Sequence, residues 1–225
     1  MNSAGQPVVT TLHCRAVLVD LDGTLMDSAP RILRVWKAWS QRNGIAFESI
    51  LKVIHGRRSI DTIRLVAPWL PVEKEVAELE ADEIADMQDV RVYPGAQELL
   101  EKLRDIPHAI VTSGSRRAAE ARLKHVGLRI PAVLASGDEV EAGKPAPDGY
   151  LLAARRLRMD PGDCVVIEDS PVGVQAGKAA SMQVVAVAST HAAAALDQAD
   201  AVVRQLADIQ LSSGDDIVEM RLRVR

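Results

Sequence analysis

The sequence predicts an α/β protein, a doubly wound parallel sheet with helices on both faces and a helical insertion near its start. Three observations predict it. Of the 225 residues 48% are hydrophobic but only 3% aromatic, so the core must be built from Val, Ile, Leu and Ala. That composition suits the near-continuous apolar strands of a buried parallel sheet. From about residue 93 to residue 187, short β-branched runs alternate with helical patterns, as βαβ units require. From about residue 30 to residue 89 the period is helical, and no strong strand interrupts it. The length accommodates one such core and a smaller insertion.

The elements follow in order. Residues 15–20 (RAVLVD) are a short β-branched run ending in an acid, the first expected strand. Residues 1–13 are expected to form a flexible N-terminus. Ile32, Leu33, Trp36 and Trp39 recur at helical spacing, as do the apolar positions between Glu73 and Met87. Tyr93-Pro94-Gly95 punctuates the return to the core. A helix is expected at 96–104, a strand at 108–112, a helix at 116–126, a short strand at 132–135 and a helix at 148–158. A strand at 164–167, a helix from Pro171 and a strand at 183–187 complete the alternation. Residues 208–224 read as two short segments around Ser212-Ser213-Gly214-Asp215, a hairpin pattern.

The net charge is −4 and no long basic run is present, which argues against broad electrostatic binding to nucleic acid. No uncharged apolar run is long enough to span a bilayer, and the first residues lack the pattern of a signal peptide. Cys14 and Cys164 lie far apart in no metal-like spacing and are expected as reduced thiols. A soluble, cytoplasmic monomer acting on a small molecule is the resulting expectation.

The chemistry-bearing residues fall at the ends of predicted strands. Asp20-Leu21-Asp22-Gly23-Thr24 closes the first, and in an open parallel sheet ligands bind beyond such ends. In extended chain residues i and i+2 face the same way, so Asp20 and Asp22 can converge while Leu21 points into protein. Gly23 lets the chain turn away sharply. Two adjacent carboxylates need a cation or a shared proton, and Mg²⁺ would supply the former. Thr112-Ser113-Gly114 ends the second core strand with a hydroxyl and backbone N–H groups before a helix, an anion site or an ordinary cap. Lys144 sits in Gly143-Lys144-Pro145-Ala146-Pro147-Asp148, a loop stiffened by two prolines, where it can meet a phosphoryl oxygen or a carboxylate. Glu168 and Asp169 follow the apolar run 164–167; Ser170 and Pro171 suit the start of a helix. Four such segments at four strand ends point to one phosphoryl and Mg²⁺ site. The residues alone leave open which aspartate attacks.

These four segments resemble the motifs of the haloacid dehalogenase superfamily, whose core is a Rossmann-like sheet. The resemblance covers about residues 14–205. It is nearest to sugar-phosphate phosphatases of the type that hydrolyse 2-deoxyglucose 6-phosphate, through Ile54-His55-Gly56-Arg57-Arg58-Ser59, Val111 to Ser115, Gly143 to Pro145 and Val166 to Pro171. It implies a core of residues 14–29 and 92–225 with a mobile cap inserted at 30–91. It implies Asp20 as the nucleophile, Asp22 as general acid and base, and Thr112 and Lys144 as holders of the phosphoryl group, helped by Ser113 and Gly114. Mg²⁺ would be bound by Asp20, the Asp22 backbone carbonyl and Asp169, with Glu168 acting through water. Arg58 would be the leading cap contact to substrate, with His55 and Arg57 beside it. The tryptophans are expected in the cap core.

Three rivals are weighed on the same residues. A phosphomutase of the β-phosphoglucomutase type would tend to carry Val at the position of Thr24 and a histidine near Ile32. A dehalogenase proper would lack Asp22 and the metal acid Asp169. A sugar-phosphate-binding protein without activity would be expected to have lost a catalytic group, and none is lost. Hydrolysis of small sugar or polyol phosphates is the expectation.

Overall fold

The strands that are apolar at every position lie at the centre of the sheet, because only there are both faces covered. The computed structural model describes residues 8–214 and 217–224. The chain begins with β1 (Val8–Cys14), β2 (Ala16–Asp20) and β3 (Met26–Asp27). Four helices follow: α1 (Ala29–Asn43), α2 (Phe47–Leu51), α3 (Ser59–Val66) and α4 (Val72–Ala85). Then come β4 (Arg91–Val92), α5 (Ala96–Lys102), β5 (His108–Val111), α6 (Arg116–His125) and β6 (Leu134–Ala135). The remainder is α7 (Asp148–Leu157), β7 (Cys164–Glu168), α8 (Pro171–Ala179), β8 (Gln183–Val187), β9 (Ala201–Val203), β10 (Ile209–Ser213) and β11 (Val218–Val224).

The main sheet runs β1-β11-β9-β8-β7-β2-β5-β6, with β10 also paired to β11. From β9 to β6 every pairing is parallel. The strand period of two divides the apolar residues between two cores. Val17, Val19, Ile110, Val165, Ile167 and Val185 face Leu99 of α5 and Ala119 and Leu123 of α6. Their neighbours Leu18, Ala109, Val166 and Val184 face Tyr150 and Ala153 of α7 and Val174 and Ala176 of α8. After β2 the chain goes to β5 on one side and later returns to β7 on the other, so the carboxyl end of β2 is the topological switch point.

The four helices between β3 and β4 bury a core of their own, built on Val35, Trp36, Trp39, Ile50, Ile63 and Leu79. Trp36 and Trp39 meet edge to face at 5.3 Å, and the Trp39 indole N–H donates to Glu75 Oε2 at 2.9 Å. α1 stops at Gly44, whose φ of +65° is the left-handed turn that glycine adopts without strain. β3 and β4 pair antiparallel, Met26 with Val92 and Asp27 with Arg91, so the two crossings into this helical unit lie side by side.

Two expectations need correction. Residues 8–13 are not loose: β1 pairs with β11 throughout, and its period of two buries Leu12 and Cys14 while Thr11 and His13 stay exposed. The β-branched run here lacked a visible partner because the partner lies at the other end of the chain; residues 1–7 fall outside the described residues. Trp69 is 72% exposed rather than in a core, since Pro68 and Pro71 hold it in the connection between α3 and α4. Strands β3, β4 and β9 are two or three residues long, too short to show a period.

Trp39→Ala should remove an aromatic pair and a buried hydrogen bond together, lowering stability by about 3–5 kcal/mol. Chemical denaturation measures it; a loss under about 1 kcal/mol would show that the helical unit does not depend on this core.

Candidate active site

The loop after β2 is built so that two carboxylates emerge and one leucine goes in. Asp20 is the last residue of β2, and Leu21 is fully buried in the sheet core. The loop closes on itself: the N–H groups of Leu25 and Met26 donate to Leu21 O at 3.0 and 3.2 Å, and Gly23 N–H donates to Met26 O at 2.8 Å. Gly23 has φ +94°, and a Cβ there would also run into the Asp169 carboxylate. Glycine is thus required twice over at this position.

Because β2 lies between β5 and β7, its end meets theirs. Carboxylate oxygens of Asp20, Glu168 and Asp169 lie within 4.8 Å of one another, all three buried. Lys144 Nζ bridges the cluster, 2.5 Å from Asp20 Oδ1 and 2.5 Å from Glu168 Oε1. Glu168 Oε1 also accepts from Tyr150 OH at 3.0 Å; its Oε2 accepts from the Asp169 and Ser170 amides at 2.7 and 2.9 Å and from Ser170 Oγ at 3.1 Å. A Cβ at residue 173 would overlap this carboxylate, so Gly173 makes room for it. Asp169 accepts from Thr24 Oγ1 at 3.1 Å and from Thr190 Oγ1.

The electrostatics follow from burial. Burial works to raise Glu168, but Lys144 and the two amides outweigh it and hold Glu168 below the usual carboxylate value. Burial likewise works against the Lys144 ammonium, and Asp20 and Glu168 reverse it, so Lys144 stays protonated. Asp20 is pushed up by burial and by Glu168 and Asp169, against the pull of Lys144. Asp169 is pushed up to about 7, by burial first and then by Glu168. Three carboxylates thus face one ammonium, and among the described residues no further cation meets the surplus negative charge. An all-oxygen donor set with excess negative charge fits a hard divalent cation.

Asp22 lies on the other side of the loop. Its Oδ1 accepts from Ser28 Oγ at 2.7 Å; its Oδ2 accepts from Arg122 at 2.9 Å and from Thr112 Oγ1 at 3.3 Å. Burial would raise its pKa, but Arg122, Arg31 and the two hydroxyls hold it below the usual value. Asp20, Asp22, Thr112, Ser113 and Gly114 line one cavity with Asp169 and Thr190. Ser113 Oγ donates to Gly56 O at 2.7 Å, and the Gly114 amide donates to Thr112 Oγ1 at 3.1 Å.

The helical unit closes the cavity from above with the segment before α3. His55 and Arg57 line it, and His55 stacks edge to face on His191 at 5.5 Å. Burial and His191 lower the His55 pKa. Arg58, expected as the leading substrate contact, is placed elsewhere. Its guanidinium pairs with Asp61 at 2.6 Å and donates to the carbonyls of Gly137, Val140 and Glu141. Five donors engaged by one acid and three carbonyls leave Arg58 tying the helical unit to the core instead of lining the cavity. Gly56 (φ +72°) also lines the cavity, and a Cβ there would run into Ser170 and Val172 of α8 and its cap.

Sequence reasoning missed Arg122, Arg31, Glu83, Tyr150 and Thr190. Arg122 carries a weak signal, since its helix buries Ala118, Ala119 and Leu123, and residue 122 stands on that same face. The others have none, because their roles depend on which elements the fold stacks over the site.

Comparison with known proteins identifies the class. Residues 14–181 match the model of the haloacid dehalogenase-like hydrolases, and the chain belongs to that family. Among individual proteins, hexitol phosphatase A of Escherichia coli is 39% identical over 216 residues, covering 92% of this chain and all of the relative. A 2-deoxyglucose-6-phosphate phosphatase of Saccharomyces cerevisiae is 34% identical, covering 88% of this chain and 91% of its own. A hydrolase from Pseudomonas syringae has the same fold, with a TM-score of 0.77 and 24% identity over 85% of this chain and 94% of that one.

The raised Asp169 pKa has a sign that can be tested. Between about pH 5 and 7 the folded, metal-free protein binds a proton at Asp169 that the unfolded chain does not, so this group makes stability fall as pH rises. In chelator, wild type should therefore lose more stability from pH 5 to 7 than Asp169→Asn, and millimolar Mg²⁺ should flatten the wild-type slope. Urea titrations at several pH values measure it, and equal slopes in both proteins would contradict it.

Proposed function

We propose that the chain hydrolyses phosphomonoesters of small sugars and polyols through an aspartyl-phosphate formed on Asp20. The observation that carries this reading is the position of Asp20: at the switch point, it is bracketed by Lys144 and two further acids on one side and by Asp22 and Thr112 on the other. The names of the hexitol and 2-deoxyglucose relatives support the class of leaving group.

Asp20, Asp169 and, less directly, Glu168 would hold Mg²⁺, with the Asp22 carbonyl as a further ligand. The ion would neutralise phosphoryl and carboxylate charge that otherwise repel. An Asp20 oxygen attacks phosphorus, the bond to the leaving oxygen breaks, and that oxygen takes its proton from Asp22. Before substrate arrives, Asp22 is a carboxylate held by Arg122; a phosphate dianion entering beside it favours its protonation. Once the alcohol departs, the Asp22 carboxylate takes a proton from water as its oxygen attacks the aspartyl-phosphate. Inorganic phosphate leaves and Asp20 is regenerated. Thr112, Lys144 and the backbone around Ser113 and Gly114 hold the phosphoryl oxygens. Residues 30–91 act as a cap on the core of 14–29 and 92–225, excluding water while the phosphoryl group is transferred.

Asp20→Asn should lower Mg²⁺-dependent phosphate release by roughly 10⁴-fold or more while leaving the fold intact. Near-normal release would remove Asp20 as nucleophile. A second comparison separates the two cap arginines. Arg57→Ala should lower kcat/KM for a sugar phosphate by about 10-fold more than for p-nitrophenyl phosphate, whereas Arg58→Ala should lower both in the same proportion. Selective damage from Arg58 alone would reverse their assignment.

A further inference from the structure

One wall of the cavity carries a group of buried charges of which the reaction above uses only Arg122, through Asp22. Arg31 of α1, Glu83 of α4 and Arg122 of α6 all line the cavity and are at most 9% exposed. The Glu83 carboxylate is 3.7 Å from Arg31 Nη1 and 3.9 Å from Arg122 Nη1, close enough for ion pairing but beyond hydrogen-bond length. Among the described residues these two ion pairs are the only partners of that carboxylate, and no side-chain hydrogen bond reaches it. A carboxylate that lines the cavity without a hydrogen-bond donor is open to one brought by a ligand.

The chemistry of the occupant follows from that pairing. A second phosphate would meet the Glu83 charge, and an amine would meet two guanidinium groups. An alkyl chain would leave every group unsatisfied. A hydroxyl both donates and accepts, so it can bond to Glu83 while accepting from an arginine. We propose that Glu83, flanked by Arg31 and Arg122, is a specificity-determining residue that binds a hydroxyl of the leaving alcohol and so selects polyol over plain alkyl phosphates. This rests on the phosphatase reading of the same cavity. Arg122 joins this wall to Asp22, the proposed proton donor to the leaving oxygen, which puts the wall on the side of the leaving alcohol. A site built to hydrogen-bond a hydroxyl discriminates strongly against the analogue that lacks it, because its own polar groups are then left unpaired.

The test compares a hexitol phosphate with n-hexyl phosphate, which has the same chain length and no hydroxyl. The readout is the ratio of their kcat/KM values in wild type, Glu83→Ala and Glu83→Gln. Glu83→Ala should lower the ratio by about 10- to 100-fold, and Glu83→Gln, which keeps the volume and a neutral acceptor, by about 3- to 10-fold. A purely structural role for Glu83 would depress both esters together and leave the ratio unchanged. An unchanged ratio in either folded variant overturns the proposal while the phosphatase reading stands. Should wild type release phosphate from neither ester, that reading falls and this one with it.

Discussion

Three carboxylates held out of water within a few ångströms of each other are the constraint around which the site is organised. Isolated, such a cluster would take up protons or expand. It persists because the fold brings compensation from separate strand ends. Lys144 comes from the loop before α7 and is gripped by two of the acids. The Asp169 and Ser170 amides come from the turn after β7, and Tyr150 reaches in from α7. Glycines at 23 and 173 keep the space those carboxylates occupy. The remaining surplus charge disposes the site to a divalent cation, without which it would repel an incoming phosphate.

A second set of buried charges balances the first. Asp22 and Glu83 face Arg31 and Arg122, drawn from both the sheet domain and the helical unit. Buried ion pairs are weak evidence for stability, since desolvation offsets much of their attraction. Their value here is positional. Arg122 and Ser28 hold Asp22 away from the Lys144 cluster, so two carboxylates two residues apart in sequence sit in different fields. Burial and like charges lift Asp20, whereas neighbouring cations lower Asp22. In the proposed mechanism a bound cation would return Asp20 to its ionised, attacking form, and an incoming phosphate would favour the protonated, donating form of Asp22.

What could be read from the sequence was whatever is local. RAVLVD and CVVIED announce buried strands ending in acids, and the β-branched runs 108–111 and 183–187 complete the parallel sheet with its helices between. The two segments around Ser212-Ser213-Gly214 pair as β10 and β11. β1 was not legible, because a seven-residue strand with one apolar face declares itself only when its partner is known, and β11 lies some two hundred residues away. The site divides in the same manner. Asp20, Asp22, Thr112, Lys144, Glu168 and Asp169 could be picked out because each follows a strand or stiff loop. Glu83 could not, since it reads as one more charge on a charged helix, and Arg122 shows only weakly, by sharing a face with buried apolar residues. Arg58 misled for the opposite reason: a basic residue in a polar loop invites a ligand, yet three carbonyls and Asp61 had already taken its donors.

The paired strands β3 and β4 have one more consequence. Because the chain leaves the sheet domain and re-enters it through neighbouring backbone, the sheet domain is indifferent to how many residues lie between. The main sheet's own strand pairings include no residue of those helices. Inheritance can therefore act on the two halves separately. One half is fixed by the geometry of phosphorus chemistry, and the other is free to drift toward whatever alcohol the cell must release.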